Sequence, residues 1–237
     1  MKGVGVFKQY KGKMFCFSPP VMLATFIVEI SLAIYTLWRY KMSKSVRLAI
    51  LLLIFLAVFQ LAEYMVCGGW GINSMDWARI GYVAITALPP LGVHLAFSLA
   101  GKRNTPVVAS AYAVGALFMM YFLFATDVFT GSQCLGNYVI FQMGSFASQL
   151  YWVYYYALLL LTMGVSFRLA MQVPKRKRAL EAFVAGYVLF MLPTTIANTI
   201  NPETIKGVPS IMCGFAVLLA LVLVFWVLPA TERRKKR

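Results

Sequence analysis

Charged residues are scarce in this 237-residue chain: Asp, Glu, Lys and Arg together make up 12% of it, about half the share that is usual in soluble domains. Hydrophobic residues make up 61% of the chain, and the mean hydropathy is +0.77. This composition excludes a water-soluble enzyme and a disordered or fibrous chain. The net charge of +15 does not indicate nucleic-acid binding, because the Lys and Arg residues lie in short clusters between apolar runs.

Residue types that support several known chemistries are also missing. His94 is the only histidine, so the chain cannot build the multi-histidine zinc site of seven-helix hydrolases. Residues 208–228 contain no lysine, so a retinal Schiff base has no attachment point in the last apolar run. The sequence has no phosphate-binding glycine loop, nucleophile elbow or Cys-x-x-Cys pair. We therefore expect no enzyme of an ordinary kind, and we predict no cofactor and no metal site.

Apolar runs of about twenty residues dominate the chain, which is the length that an α-helix needs to cross about 30 Å of hydrocarbon. Glycine, proline and asparagine occupy several of the short connections between them. The fold class that we predict is an all-α, polytopic membrane protein in which residues 21–228 form one seven-helix domain. Its spans are 21–40, 45–67, 77–100, 107–126, 148–171, 180–200 and 208–228.

The orientation follows from the basic residues. Sixteen of the 22 Lys and Arg residues lie in the tail 229–237 or near the connections that follow spans 1, 3 and 5. By the positive-inside rule this side is cytoplasmic, so the N-terminus is outside and the C-terminus is inside. We predict a multi-pass protein of the cell inner (plasma) membrane, with the lipid bilayer as its partner and no nucleic acid.

Residues 1–20 form an outer N-terminal segment in this topology. Thirteen residues with four lysines precede Met14, and translation from Met14 would sharpen the charge asymmetry, so either Met1 or Met14 is the start. No compact small-residue cleavage site follows the first apolar run, and we expect a retained span rather than a signal peptide.

The four cysteines all fall at or near the predicted outer face, where an oxidising exterior allows disulfides. Four cysteines permit three pairings. We prefer Cys16 with Cys213, which would tie the first helix to the last, and Cys67 with Cys134, which would pin the connection 127–147. The alternative is free thiols that pack as small hydrophobic groups.

Three stretches of sequence form a set. They are Met14-Phe15-Cys16-Phe17-Ser18 before span 1, Phe59-Gln60-Leu61-Ala62-Glu63 in span 2, and Ser210-Ile211-Met212-Cys213-Gly214-Phe215-Ala216 in span 7. The set resembles an uncharacterised bacterial family of small seven-helix membrane proteins that open with Met-Cys-Phe-Ser. That family also carries a Gln-x-x-Glu in its second helix and a Trp-Cys-Phe-Phe-Ala in its last. The resemblance implies a seven-helix fold and a Cys16–Cys213 pairing, and it implies no activity.

Ionisable and amide groups inside the spans are the candidate functional residues, because such groups are costly in hydrocarbon. Glu29 lies about 12 Å below the outer end of span 1, and Gln60 and Glu63 share one face of span 2. With Asn198 of span 6 they could line an outward-facing polar pocket for a cation or an amine-bearing ligand. The simpler alternative is interhelical hydrogen bonding by these groups, with a protonated Glu29, that joins spans 1, 2 and 6. If the site is functional, Glu63 is its leading residue.

His94 lies in the inner half of span 3, four residues after Pro90. A proton relay or a haem ligand is conceivable there, although haem bundles commonly use two histidines. We expect instead a buried His94 that bonds to a backbone carbonyl left free by Pro89 and Pro90.

Three function classes remain open. The first, which we prefer, is a receptor-like, ligand-binding module whose ligand the sequence does not identify. The second is a structural or accessory subunit that packs against other membrane proteins. The third is a small transporter or membrane redox enzyme that uses Glu29, Glu63 and the cysteines.

The predicted orientation can be tested with protease added to intact cells. We expect the turn at residues 175–178 to be spared, because the intact membrane separates it from the protease. The connection around Cys134 should be open to cleavage. Cleavage at 175–178 with Cys134 spared would invert the topology.

Overall fold

A computed structural model describes residues 19–68, 73–103, 105–125, 128–134 and 139–232. Six long helices and a composite seventh span are each long and apolar enough to cross a membrane, so the prediction of seven spans is confirmed. The helices are α1 (Pro19–Arg39), α2 (Lys44–Gly68), α3 (Ser74–Leu99), α4 (Thr105–Phe124), α5 (Ser145–Gln172), α6 (Lys177–Ile200) and α7 (Val208–Val222).

Local sequence signals set several helix ends. The Asn73 side chain accepts a hydrogen bond from the Met75 amide, and Asp76 lies in the first turn of α3, where a negative charge suits the helix dipole. After the end of α6, Pro202 follows Ile200 and Asn201 and begins a 3₁₀ turn, Pro202–Gly207. The seventh span is composite: α7 runs through a π-helical turn, Leu223–Val227, into the short α8, Leu228–Thr231.

The order of packing closes the helices into a bundle. α2 packs against α1 and α3, α3 also packs against α4 and α5, and α6 joins α5 to α7, which returns to α1 and α2. α3 is the most buried span and α4 the least, with 83% and 17% of their most apolar segments buried. Gly81 permits a close approach of α3 to α2, since a Cβ atom there would lie 3.1 Å from the Ala62 Cβ of α2.

A β-hairpin covers one end of the bundle, and the sequence did not predict it. β1 (Phe129–Cys134) and β2 (Val139–Met143) pair antiparallel within the connection from α4 to α5. Their buried rings pack on α3: the ring centroids of Phe129 and Phe141 lie 4.9 and 5.3 Å from that of Tyr82. We call this the hairpin end. The opposite end holds the connections after α1, α3 and α5, and we call it the basic end.

Of the two expected disulfides, Cys67–Cys134 is present, with a Cα–Cα distance of 5.8 Å. It joins the last turn of α2 to the end of β1. Cys213 is buried with a free thiol, and its expected partner Cys16 lies outside the described residues, as does the rest of the segment 1–18 and the end of the tail. The Cys16–Cys213 pairing therefore stays a prediction.

The expectation for His94 was wrong. Its ring is only partly buried, and Nδ1 lies 3.2 Å from the Tyr112 hydroxyl of α4 rather than on a carbonyl of α3.

Proline has no amide hydrogen, so Pro90 leaves the Thr86 carbonyl four residues earlier without its helical partner. The Tyr154 hydroxyl of α5 donates to that carbonyl at 2.9 Å, which the spacing of residues on α3 could not reveal.

We predict that the double variant Cys67→Ser/Cys134→Ser unfolds at a lower temperature than the oxidised protein. The bridge closes a loop with a sequence separation of 67, and bridges of this kind stabilise by roughly 2–4 kcal/mol. Thermal unfolding in detergent, with and without reductant, measures the difference. Reductant should lower the midpoint of the wild type by more than that of the double variant; thiol labelling mapped to Cys67 and Cys134 in the unreduced protein would contradict the bridge.

Candidate functional site

Two carboxyl groups lie inside the bundle, nearer to the hairpin end. Glu29 projects from α1, and Glu63 lies five residues before the end of α2. Both side chains have 0% exposure, and Gln60, one turn before Glu63, has 2%. The structure thus brings together three of the four predicted binding residues, and the site that they form is closed rather than open to solvent.

These groups have polar atoms without partners. Both carboxyl oxygens of Glu29, both of Glu63 and the Nε2 of Gln60 have no hydrogen-bond partner among the described residues. The interhelical hydrogen bonds expected between spans 1, 2 and 6 are therefore not made by these atoms within the described part of the chain. An unsatisfied buried polar group costs about 1–3 kcal/mol, so a concentration of them calls for an explanation such as a bound ion or water.

Side chains of α7 complete the cluster, and Tyr82 of α3 lies against it. Glu63 is close enough to Glu29, Tyr82 and Cys213 for electrostatic interaction. The Ser210 hydroxyl lies beside the Glu63 carboxyl without reaching hydrogen-bond geometry, and it accepts the amide of Val139 at 3.1 Å. We call Glu29, Gln60, Glu63, Ser210 and Cys213 the carboxyl cluster.

A small cavity borders the carboxyl cluster at Cys213. Its volume is about 20 Å³, which is room for about one water molecule. Tyr155 of α5 and Tyr187 of α6 also line it, and the remaining walls are apolar. Neither carboxyl group lines this cavity, so it is a packing gap beside the cluster and not a preformed polar pocket.

A hydrogen-bond network on α3 fixes the aromatic wall of the site. The Thr86 hydroxyl donates to the Tyr82 carbonyl and lies 3.2 Å from the Tyr151 hydroxyl, while the Thr86 carbonyl accepts from Tyr154. The Tyr82 and Tyr151 rings contact each other at a centroid distance of 5.7 Å. Since two contacts with α5 and one within α3 meet at Thr86, α5 holds α3 and its Tyr82 in place beside Glu63.

Asn198 has a different role from the one predicted for it. It is half-buried, and its Oδ1 accepts a hydrogen bond from the Thr204 hydroxyl at 2.7 Å. The contact shapes the connection from α6 to α7 and gives Asn198 no described contact with the carboxyl cluster.

Sequence reasoning missed Tyr82 and Ser210 as members of the site, and it considered Cys213 for a disulfide, for packing or for redox chemistry but not for the binding pocket. One signal was available: Ser210 and Cys213 are three residues apart, so they share a face of α7. Nothing in the sequence showed that this face meets α1 and α2.

The donor set limits the chemistry of the site. It consists of two carboxyl groups, an amide, a hydroxyl and a thiol, with no basic side chain. The basic residue in the hairpin-end half of α3, Arg79, donates to the carbonyls of Phe122 and Leu123 at the end of α4 instead. Among the described residues, no three His, Cys, Asp or Glu side chains lie close enough together to hold a metal ion.

Comparison with known proteins adds no identity. No protein-family model matches the chain, and no curated protein matches it.

We predict that Tyr154→Phe lowers the stability of the bundle by about 0.6–2 kcal/mol, because it removes the donor to the Thr86 carbonyl and leaves that carbonyl unpaired in an apolar interior. Tyr156→Phe is the control, since this ring lies on the same helix and is only partly buried. Thermal unfolding of both variants in detergent measures the effect. Equal midpoints for the two variants would show that Tyr154 does not support α3.

Proposed function

We propose that this protein is a receptor-like, ligand-binding membrane protein, and that its ligand is a small cation held between Glu29 and Glu63. A monovalent metal ion or a primary amine fits this role. One observation carries the proposal: four carboxyl oxygens from two helices are fully buried with no described hydrogen-bond partner. Ionisable groups within spans normally pair with something or mark an ion or ligand site.

Charge and donor chemistry support a cation over an anion or a neutral ligand. Two adjacent carboxyl groups repel an anion, and their oxygens are acceptors for ammonium hydrogens or for a hard metal ion. The Gln60 side chain, one helical turn from Glu63, can turn its amide oxygen or its NH₂ group toward the occupant. Both carboxyl groups are fully buried, and the neighbouring cavity at Cys213 holds only about 20 Å³, so the occupant between Glu29 and Glu63 must be small.

The helices that carry the carboxyl cluster also meet at the basic end, which offers a route for a signal. The Tyr40 hydroxyl, just after α1, lies 3.3 Å from the carbonyl of Val224, within the π-helical turn that interrupts the seventh span. Such turns lengthen or shorten a helix locally and are frequent at functional sites. An occupant that moves α1 relative to α7 at Glu29 would alter the Tyr40 contact at the other end.

The proposed orientation places the hairpin end outside the cell and the basic end in the cytoplasm of a plasma membrane. The distribution of Lys and Arg supports it. The Cys67–Cys134 bridge supports it independently, because disulfides persist in an oxidising exterior and rarely in the cytosol.

A subunit role is the alternative with structural support. The hairpin-end part of the seam between α4 and α5 holds an apolar cleft of about 530 Å³, lined by residues such as Leu117, Leu150 and Val153, which are 54–71% exposed. A helix of another membrane protein could pack there. The third possibility, a transporter or redox enzyme, would use the same carboxyl groups together with Cys213.

We predict that a small cation raises the unfolding temperature of the wild type and that Glu63→Gln abolishes the increase. Glutamine keeps the shape and loses the charge that binds the cation. The probes are Na⁺, K⁺ and methylammonium chloride, titrated in detergent at constant ionic strength with N-methyl-glucamine as the balancing ion. A cation at a hundred times its dissociation constant would raise the free energy of unfolding of the wild type by about 2.7 kcal/mol.

The matched control is Glu203→Gln, which removes an exposed carboxyl group near the same end. It should respond to the cation like the wild type. A wild type that no probe stabilises, or a Glu63→Gln variant that retains the full response, would contradict the proposed function and leave the carboxyl cluster with a purely structural role.

A further inference from the structure

At the basic end, α4 and α5 leave a cleft between them. α4 packs chiefly against α3, and α5 packs against α3 and α6, so α3 forms the back wall of the cleft. Its volume is about 430 Å³. Three basic residues line it, Lys102, Arg103 and Arg168, and no acidic residue does.

The positions of the basic side chains are set by the fold. Gly101 follows α3 with φ +68°, a conformation that favours glycine, and the amides of Gly101 and Lys102 bond to the carbonyls of Ser98 and Phe97. This is the Schellman arrangement that ends many helices. The Lys102 ammonium then donates to the Gln172 side-chain oxygen of α5 at 2.6 Å, which holds it over the cleft and leaves its charge uncompensated.

The floor of the cleft is apolar. Val107 of α4 and Leu161 and Val165 of α5 lie below the basic rim. Arg168 and Leu161 are seven residues apart, or about 10 Å along the helix axis, which is most of the depth of one leaflet in a hydrocarbon core of about 30 Å. The cleft therefore offers cations at the level of the lipid headgroups and an apolar surface at the level of the acyl chains.

We infer that this cleft between α3, α4 and α5 is a binding site for an anionic phospholipid of the adjoining leaflet. The phosphate lies among Lys102, Arg103 and Arg168, and an acyl chain lies along Val107, Leu161 and Val165. A soluble phosphate would leave the apolar floor uncovered, and a zwitterionic lipid would bring a second positive charge to a rim that already holds three. Basic pockets between spans at a cytoplasmic surface suit anionic headgroups.

The test is lipid binding to the purified full chain in neutral detergent, followed by native mass spectrometry with dioleoyl phosphatidylglycerol as the probe and dioleoyl phosphatidylcholine as the comparison. The wild type should bind phosphatidylglycerol at least about tenfold more tightly than phosphatidylcholine. The variant Lys102→Ala/Arg103→Ala/Arg168→Ala should lose that preference, because each basic residue near the membrane surface contributes to the attraction.

The matched control is Lys41→Ala/Lys175→Ala/Arg178→Ala, which removes three charges from exposed positions at the same end that do not line the cleft. It should keep the preference within about threefold of the wild type. Equal losses in the two triple variants would overturn the site, because general surface charge would then account for the binding.

A second variant tests binding of the acyl chain without changing any charge. It remains informative even where the triple variant fails to fold. Val165→Trp fills the floor of the cleft and should weaken phosphatidylglycerol binding by about tenfold or more with all basic residues in place. Glycerol 1-phosphate at millimolar concentration should not compete. Unchanged binding by Val165→Trp, or full competition by glycerol 1-phosphate, would show that the cleft recognises phosphate alone and would contradict a lipid site.

Discussion

The absence of water from the interior of a bilayer is the constraint on which the rest of this structure depends. Each buried polar group must find its partner within the protein. α3 carries two adjacent prolines and is nevertheless the most buried span. This is possible because Tyr154 of α5 supplies the donor that Pro90 cannot, and because Thr86 joins the same contact to Tyr151. The central helix is thus stabilised by side chains of its neighbour at the position where its own backbone ladder is interrupted.

Against this background the carboxyl cluster stands apart, because it gathers five of the seven buried side-chain atoms that lack a partner among the described residues; the other two are Trp77 Nε1 and Ser166 Oγ. Other polar groups of the interior, such as Thr36, Thr162 and Thr194, bond to carbonyls of their own helices. Glu29 and Glu63 do not, although they are buried as completely. Two carboxyl groups that served only to join helices would be expected to bond across the seam. Their unpaired oxygens favour a site that is completed by something from outside the described chain, which is why a cation-binding role explains more of the structure than a purely structural role.

The sequence predicted what depends on local composition and missed what depends on the rotation of a helix. The seven spans follow from runs of apolar residues, whereas Cys67–Cys134 was a preferred choice among the three pairings that four cysteines on one side of the membrane allow. In a water-soluble helix, the buried face is revealed by alternation of apolar and polar residues. In lipid both faces are apolar, as exposed Leu117 and buried Phe122 of α4 illustrate, and that signal is lost. The roles of Tyr154, Ser210 and Tyr82 could therefore not be derived. The hairpin was missed because its strands are short and its first strand has only Phe129 and Thr130 as β-forming residues before Gly131, Ser132 and Gln133.

The hairpin is attached unequally to α2 and α7, two of the helices that carry the carboxyl cluster. Cys67 is four residues after Glu63 on α2 and is bonded to Cys134 of β1, which pairs with Val139 of β2. The Val139 amide in turn bonds to Ser210 of α7, beside Glu63. One strand is thus held to α2 by a covalent bond, while the described tie between β2 and α7 is a hydrogen bond to a side chain. Separating β2 from α7 costs far less than separating β1 from α2. The Ser210 hydroxyl that accepts this bond keeps its own hydrogen and a second lone pair, so it can face Glu63 and hold β2 at the same time. The hairpin is therefore attached to α2 and to α7, which both carry members of the carboxyl cluster, and it is attached more firmly to α2.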